Sequence, residues 1–238
     1  MKPVRGVILD VDGTLVDSND AHACAWIEAL GEHDITVPFN KVRKLIGMGG
    51  DKLLPAVCDF KADSAEGKKV SKRRKEIFKS RYLPSLRPFA GVRELLQRMR
   101  ADGLELAVAS SARKEELEPL LKLCRVDDLI AARTSADDAD NSKPDPDVVH
   151  AALAELNMPA SEVLLLGDTP YDIEAGARAG VGVIALRCGG WGDADLAGAA
   201  AVYNNPADLL ARYDSSPLVK GFRNPAEETG TLDRVRAD

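Results

Sequence analysis

The sequence has few of the features that mark secreted, membrane or metal-scaffold proteins. Its 238 residues include only four cysteines, at positions too far apart for a disulfide framework or a zinc site, which predicts reduced thiols. No apolar run is long enough to span a bilayer, so no membrane association is expected. The chain passes from Met1 almost directly into an apolar run at Gly6 and leaves no room for a signal peptide, which predicts a cytoplasmic protein.

The chain also lacks an excess of positive charge. Its formal net charge is -6 and its pI is about 5.3, whereas nucleic acids and anionic membranes attract basic surfaces. We therefore expect neither of them as the main partner, while a small anion could still bind locally. The length suffices for one full α/β domain with a smaller insertion, and the 45% of apolar residues is typical of a globular protein.

The most informative segment that is present begins at Gly6 and reads Gly-Val-Ile-Leu-Asp-Val-Asp-Gly-Thr-Leu. Its continuous Val, Ile and Leu run predicts a strand buried on both faces, as in a parallel sheet covered by helices. Because side chains alternate along a strand, Asp10 and Asp12 are expected on the same side, and Gly13 permits the sharp turn that exposes both. Taken alone, such aspartates are equally typical of an ordinary turn.

Apolar runs that predict strands alternate with helical patterns over the rest of the chain. The predicted strands are 104–110, 129–135, 163–168, 181–186 and 201–203, and the predicted helices are 91–101, 113–123, 147–156 and 171–179. Gly103 and Gly180 are expected to end two of these helices. The alternation predicts an α/β fold with a doubly wound parallel sheet of Rossmann-like architecture.

Residues 17–86 interrupt this alternation, because they are helix-like and charge-rich with little strand pattern. We expect them to form an inserted α-helical cap on a catalytic core of residues 1–16 and 87–213. A proline-rich segment from Pro84 to Pro88 ends the helical structure. Residues 214–238 are polar with little periodicity, which predicts a flexible C-terminal tail.

Polar residues stand at the ends of several predicted strands or in the loops beyond them. Asp10 and Asp12 follow the first strand, and Ser110 and Asp168 each end a later one. Lys143 lies in the loop Ser-Lys-Pro-Asp-Pro. Since catalytic groups collect at the carboxyl ends of parallel strands, we expect these five residues to meet at one site.

Prolines are expected to fix two of the loops. Pro144 keeps Lys143 out of helical geometry, and Asp145 is predicted to cap the next helix, with Pro146 as its first residue.

A second proline, Pro170, suits the first position of the following helix. It places Asp172 in the first helical turn, where the helix dipole favours a carboxylate. Asp168 and Asp172 could then face one cation.

Together these residues resemble the haloacid dehalogenase-like hydrolase superfamily over about residues 5 to 205. Its four motifs match the Asp-Val-Asp-Gly-Thr segment at Asp10, then Ser110, then Lys143, and finally Gly-Asp-x-x-x-Asp at Gly167. The insertion resembles the helical cap of the branch that contains phosphoglycolate phosphatases and β-phosphoglucomutases. The fold implied by the resemblance is the one that the periodicity predicts.

The resemblance implies that Asp10 is a nucleophile and Asp12 a general acid and base. It also implies that Mg²⁺ is the cofactor, held by Asp10, Asp12 through its backbone carbonyl, Asp168 and Asp172. Charge alone points the same way, because these carboxylates and a phosphate dianion repel by about 4 kcal/mol per charge pair at about 4 Å and an effective dielectric of about 20. Lys143 is expected to add a fixed cation, and Ser110 to stabilise the phosphate oxygens.

Two cap residues are expected near the substrate. His22 lies four residues before Trp26 on one helix face, and this segment resembles that of β-phosphoglucomutases, where a histidine approaches the acid and base aspartate. Lys52 follows a Gly-Met-Gly-Gly turn that could bring it over a substrate. A histidine at a domain interface and a plain connecting loop are the simpler interpretations.

The first hypothesis for function is a phosphatase that hydrolyses a small phosphorylated metabolite, a sugar phosphate or a phosphoglycolate-like compound, as a monomer or homodimer. Aspartate two positions after the nucleophile is typical of phosphoenzymes that turn over rapidly. A β-phosphoglucomutase-type phosphomutase is the alternative, and its cap would have to hold a second phosphate. A non-catalytic phosphoaspartate receiver module is less favoured, because such a module needs neither the inserted cap nor Asp12.

Overall fold

The computed structural model describes residues 3–222 and centres on a parallel sheet. Its strands are Gly6–Leu9 (β1), Glu105–Ala109 (β2), Ala132–Thr134 (β3), Val163–Gly167 (β4), Gly182–Leu186 (β5) and Ala201–Tyr203 (β6). They pair in the order β3-β2-β1-β4-β5-β6, and every pairing is parallel. The predicted doubly wound α/β sheet is therefore confirmed.

The helices follow the predicted alternation. Those of the insertion are Asn19–Gly31 (α1), Phe39–Arg43 (α2), Gly50–Val57 (α3) and Ala65–Ile77 (α4). Those that accompany the sheet are Val92–Ala101 (α5), Lys114–Cys124 (α6), Asp147–Leu156 (α7), Pro170–Arg178 (α8), Pro206–Ala211 (α9) and Pro217–Lys220 (α10). Between residues 3 and 222, no helix combines the length and the apolar character that crossing a membrane requires.

The helical insertion leaves and rejoins the core through two adjacent chain segments. A π-helical turn at Phe78–Tyr82 and a 3₁₀ turn at Leu83–Ser85 follow α4. Val16 then forms an antiparallel bridge with Pro88, and the amide of Asp17 donates to the carbonyl of Arg87 at 3.1 Å. The helical cap is thus present, and we propose the predicted boundaries, 17–86 for the cap and 1–16 with 87–213 for the core.

Strand β1 is central and buried on both faces. Val7 and Leu9 belong to a core cluster that includes residues of α5 and of the cap. Ile8 belongs to a second cluster, together with residues of α7 and α8. This alternation follows from the two-residue period of a strand. Because β1 is central, Asp10, the residue that follows it, lies at the middle of the sheet edge.

Two structural features differ from the predictions. Pro146, and not Asp145, stands immediately before the first residue of α7, because the carboxylate of Asp145 is occupied by cationic side chains instead. The expected tail also begins with packed residues, since α10 follows and Leu218 and Phe222 lie in the main core. The remainder of that tail lies outside the described residues.

Candidate active site

The candidate site lies where the strand order reverses. Strands β1 and β4 are neighbours at the centre of the sheet, although β2 and β3 lie between them in the sequence. Ligands of doubly wound sheets bind outside the carboxyl ends of the strands at this switch point. Asp10 directly follows β1 and Asp168 directly follows β4, so both predicted residues lie at the switch point.

Three buried carboxylates meet there around one buried lysine. Asp10, Asp168 and Asp172 each place one oxygen within 4.8 Å of the others. Lys143 Nζ lies 2.6 Å from Asp10 Oδ1 and 2.7 Å from Asp172 Oδ1, and its side chain is 1% exposed. The bond between Lys143 and Pro144 is cis. This one ammonium binds two of the three carboxylates, which leaves a deficit of positive charge in the cluster.

The pKa values of these groups reflect that deficit. Burial raises the pKa of Asp10 to about 7, against the attraction of Lys143 and with the repulsion of Asp172. Burial, Asp10 and Asp172 raise the pKa of Asp168 well above its usual range. Burial would lower the pKa of Lys143, but its two carboxylate partners outweigh burial and raise it. A divalent cation among the carboxylates would favour their ionised forms.

Two residues that the sequence analysis did not assign complete this cluster. Thr14 Oγ1 lies 3.1 Å from Asp10 Oδ2 and 3.0 Å from Asp168 Oδ1, although a hydroxyl has a single hydrogen to donate. Asn19 Nδ2 donates to Asp168 Oδ2 at 2.9 Å, and Asn19 Oδ1 is buried without a hydrogen-bond partner in the described chain. Thr14 belongs to the recognised motif, whereas Asn19 carries no sequence signal of its own.

These observations fit Mg²⁺. The donor set consists of oxygen atoms, as Mg²⁺ prefers, and Mg²⁺ usually keeps several of its waters. The buried, unpaired Asn19 Oδ1 is an acceptor that such a water could satisfy. Asp10 and Asp168 are the carboxylates best placed to hold the ion.

Asp172 has a second task besides its place in the cluster. Pro170 occupies the first turn of α8 as predicted, and Thr169 and Asp172 form a reciprocal capping box. Asp172 Oδ2 accepts hydrogen bonds from the amide of Thr169 at 3.0 Å and from its hydroxyl at 2.6 Å, while Oδ1 binds Lys143. The helix start thus orients Lys143 through Asp172, and the role of Asp172 as a metal ligand stays a prediction.

Ser110 lies at the same edge of the sheet. It directly follows β2, which is the neighbour of β1, and it is 1% exposed. Its hydroxyl accepts a hydrogen bond from the amide of Ala112 at 3.0 Å, which orients the side chain. The structure places Ser110 where the sequence predicts it, and its contact with phosphate stays a prediction.

Asp12 joins the core site to the cap. Its Oδ1 accepts a hydrogen bond from the Ser18 hydroxyl at 2.5 Å and lies 2.7 Å from His22 Nε2. The ring of His22 stacks on Phe78, with 4.0 Å between centroids. Burial would raise the pKa of Asp12, but His22 and Ser18 outweigh it and lower the pKa. The predicted approach of His22 to Asp12 is therefore observed.

Lys52 contacts the core rather than the carboxylate cluster. Its ammonium forms an ion pair with Asp145, whose other oxygen lies 2.6 Å from Arg178. The adjacent glycine-rich turn also binds the core, since the amide of Gly49 donates to Ser142 Oγ at 3.0 Å. Lys52 thus helps to hold the cap against the loop that carries Lys143, and its contact with substrate stays a prediction.

Comparison with known proteins decides the family. The sequence profile of the haloacid dehalogenase-like hydrolases matches residues 7–186. The chain belongs to the haloacid dehalogenase-like hydrolases. The match spans the strand that carries Asp10, the whole cap and the loops that carry Ser110, Lys143 and Asp168, so the predicted family is confirmed.

Similar members of the family include phosphatases. An N-acetylmuramic acid 6-phosphate phosphatase from Pseudomonas aeruginosa is 25% identical over 236 residues, which cover 99% of this chain and 97% of that protein. A phosphoglycolate phosphatase from Yersinia pestis is 30% identical over 193 residues, which cover 79% and 83%. The crystal structure of a hydrolase from Pseudomonas syringae has a TM-score of 0.83 and 29% identity, covering 89% of this chain and 98% of that one. The predicted enzyme class, a phosphoric monoester hydrolase, is confirmed at this level.

We expect Mg²⁺ to stabilise this haloacid dehalogenase-like hydrolase more at about pH 8 than at about pH 5.5. The pKa of Asp10 is raised to about 7 without a metal, so the folded state binds more protons than the unfolded chain between about pH 4 and pH 7. The stability of the metal-free protein therefore falls as pH rises through that window. Mg²⁺ competes with those protons, and thermal unfolding with and without Mg²⁺ at both pH values measures the difference.

The matched control is Asp168→Asn, which removes one carboxylate and should reduce the Mg²⁺-dependent rise in Tm at both pH values. If Mg²⁺ raised the Tm of the unmodified protein by the same amount at the two pH values, the assignment of the ion to this cluster would be contradicted.

Proposed function

We propose that this enzyme is a Mg²⁺-dependent phosphatase that hydrolyses a small phosphorylated metabolite, a sugar phosphate or a phosphoglycolate-like compound, through a phosphoaspartate on Asp10. One observation carries the proposal. Asp10 is 7% exposed, is bound to Lys143 and shares an oxygen cluster with Asp168. Such a carboxylate is fixed in orientation at the point where a phosphate would meet two positive charges.

Asp10, Asp168 and Asp172 are the side chains proposed to hold Mg²⁺, together with the backbone carbonyl of Asp12. When bound, Mg²⁺ neutralises the carboxylates and stabilises negative charge on the phosphate oxygens. The ammonium of Lys143 and the hydroxyl of Ser110 act on the same oxygens from the protein side. These groups matter because phosphoryl transfer depends mainly on positioning and on charge stabilisation.

In the first step an oxygen of Asp10 forms a bond to phosphorus, and the bond between phosphorus and the leaving oxygen breaks. Asp12 gives its proton to that oxygen, so an alcohol departs. In the second step water attacks the phosphorus of the phosphoaspartate and Asp12 takes a proton from it. Phosphate and the free carboxylate of Asp10 are released.

Asp12 must hold a proton before the first step, although His22 and Ser18 lower its pKa against the effect of burial. A phosphate dianion beside Asp12 would raise that pKa again, because like charges disfavour ionisation. His22, at 2.7 Å from Asp12 Oδ1, can orient the carboxyl group and exchange a proton with it. Substrate binding and the closed cap would thus prepare Asp12 for its role as an acid.

A β-phosphoglucomutase-type activity is the second candidate, and the contact between His22 and Asp12 is the observation that favours it. A corresponding contact is implied by the resemblance of this segment to those mutases. A mutase, however, must retain its phosphoenzyme until a bisphosphate intermediate has turned around.

The test is a phosphate-release screen with and without Mg²⁺ across hexose phosphates, phosphoglycolate and simple aryl phosphates, with β-glucose 1-phosphate also followed for isomerisation. We expect Mg²⁺-dependent release of phosphate and its loss when a chelator is added. If isomerisation were faster than phosphate release, the mutase would replace the phosphatase as the proposed activity. The absence of both reactions would contradict the proposed function.

A further inference from the structure

A cavity of about 500 Å³ lies between the cap and the core. Its walls include Trp26 of α1 and Arg74 of α4 on the cap side, and Ser111 and Glu116 on the core side. Ser142 also lines it, one residue before Lys143, and Ser111 directly follows Ser110. The cavity therefore adjoins the proposed phosphate site.

An ion pair crosses the cavity wall from cap to core. Arg74 binds the carboxylate of Glu116, and its guanidinium carbon lies 4.9 Å from the centre of the Trp26 ring. The Arg74 side chain is 13% exposed and that of Glu116 is 2% exposed.

Two of the residues that line the cavity, one on the cap side and one on the core side, each have a buried polar atom without a hydrogen-bond partner in the part of the chain that the structure describes. These atoms are Nε of Arg74 and Oγ of Ser111. Buried polar groups are almost always paired in folded proteins, so each unpaired one calls for an explanation. A ligand that accepts hydrogen bonds from both atoms would provide it.

The lining favours a neutral polar ligand over a second phosphate. Basic and acidic side chains line the cavity in nearly equal numbers. The lining therefore lacks the strongly positive electrostatic potential that would hold a dianion. Arg74 and Ser111 supply donors, Glu116 supplies an acceptor, and Trp26 supplies an apolar surface. This mixture suits a chain or ring of hydroxyl groups.

We propose that this cavity binds the leaving group of the substrate, that the leaving group is a neutral polyhydroxylated compound of hexose size, and that the Arg74–Glu116 pair determines specificity for it. The proposal rests on the proposed phosphatase function. A volume of about 500 Å³ falls within the range of about 300–1,000 Å³ that small-molecule sites occupy. The two-carbon leaving group of phosphoglycolate would leave most of it unfilled.

The test compares kcat/KM for glucose 6-phosphate and N-acetylglucosamine 6-phosphate with kcat/KM for phosphoglycolate. We expect the unmodified enzyme to prefer the hexose phosphates. The ratio of kcat/KM for a hexose phosphate to kcat/KM for phosphoglycolate should fall at least roughly tenfold in Ser111→Ala and in the paired variant Arg74→Met with Glu116→Gln. Each variant removes hydrogen bonds that only the larger leaving group can make. Lys69→Gln, on α4 but outside the cavity lining, is the matched control and should keep the ratio.

A role limited to holding the cap closed would lower kcat/KM for every substrate by a similar factor and leave the ratio unchanged. That result would overturn the specificity assignment, as would an unmodified enzyme that prefers phosphoglycolate, and in both cases the phosphatase function would stand. Failure to release phosphate from any ester in a Mg²⁺- and Asp10-dependent manner would remove the proposed function and this inference together.

Discussion

Replacement of Asp10 by asparagine is expected to lower kcat/KM for phosphate release on the order of 10⁴-fold or more, as the loss of a covalent nucleophile does in other enzymes. Asparagine keeps the size of the side chain, but its neutral amide is a poor nucleophile. The fold should persist, because the substitution relieves repulsion with Asp168 while Lys143 retains Asp172 as a partner. Loss of activity would then report on chemistry rather than on unfolding.

The measurement is phosphate release at saturating Mg²⁺, with thermal unfolding of the same samples to establish that the variant is folded. Acid-quenched unmodified enzyme should also carry a phosphoryl group that hydroxylamine removes, whereas Asp10→Asn should carry none. Asp59→Asn, which makes the same change of carboxylate to amide at an exposed position of the cap, is the matched control for the chemical change. Substantial Mg²⁺-dependent activity in Asp10→Asn would show that the nucleophile is another group.

The second large effect is expected for Lys143→Met, which should lose both activity and stability. The Lys143 ammonium lies between Asp10 and Asp172 at 2.6 and 2.7 Å, and it is buried. Breaking a buried ion pair by removing one partner typically costs about 3–5 kcal/mol, because the remaining charge has no compensation. Activity should fall as well, since Lys143 is proposed to stabilise charge on the phosphate.

A double variant separates these two consequences. Asp172→Asn in the Lys143→Met background removes one uncompensated carboxylate, so part of the free energy of unfolding should return while activity stays low. Urea unfolding and phosphate release measure both quantities. Lys122→Met, at an exposed position of α6, is the control and should change neither by much. Recovery of activity in the double variant would exclude a direct role for Lys143 in phosphate binding.

Much of the core could be predicted because its signals are local. The apolar runs and the three- and four-residue spacings placed most strands and helices to within about two residues, and Gly103 and Gly180 have the positive φ that ends a helix. The predicted strand 129–135 is longer than β3, because only three residues pair with the edge of β2. Asp145 was wrongly expected to cap α7, since its partners, Lys52 and Arg178, are distant in sequence.

The candidate site likewise has residues that local sequence signals predict and contacts that they do not predict. Asp10, Asp12, Ser110 and Asp168 follow strands, and the order of strands in a doubly wound sheet brings their ends together whatever the other details. The contacts of Asn19 with Asp168 and of His22 with Asp12 depend instead on where the packing of the cap places the first residues of α1. Neither Asn19 nor the pairing of Arg74 with Glu116 has a periodicity or a spacing that would identify it.

The sequence by itself determined the sheet, the inserted cap and the groups proposed to transfer a phosphoryl group, because strand period, glycine turns and proline positions act over a few residues. Only the tertiary structure decided how Lys143 is shared between Asp10 and Asp172, and which cap side chains line the cavity between the cap and the core. Those arrangements depend on packing between residues that are distant in sequence, 29 apart for Lys143 and Asp172 and 42 apart for Arg74 and Glu116. The hydrophobic pattern of a sequence indicates that a residue faces the interior. Only the folded structure determines which residue it contacts there.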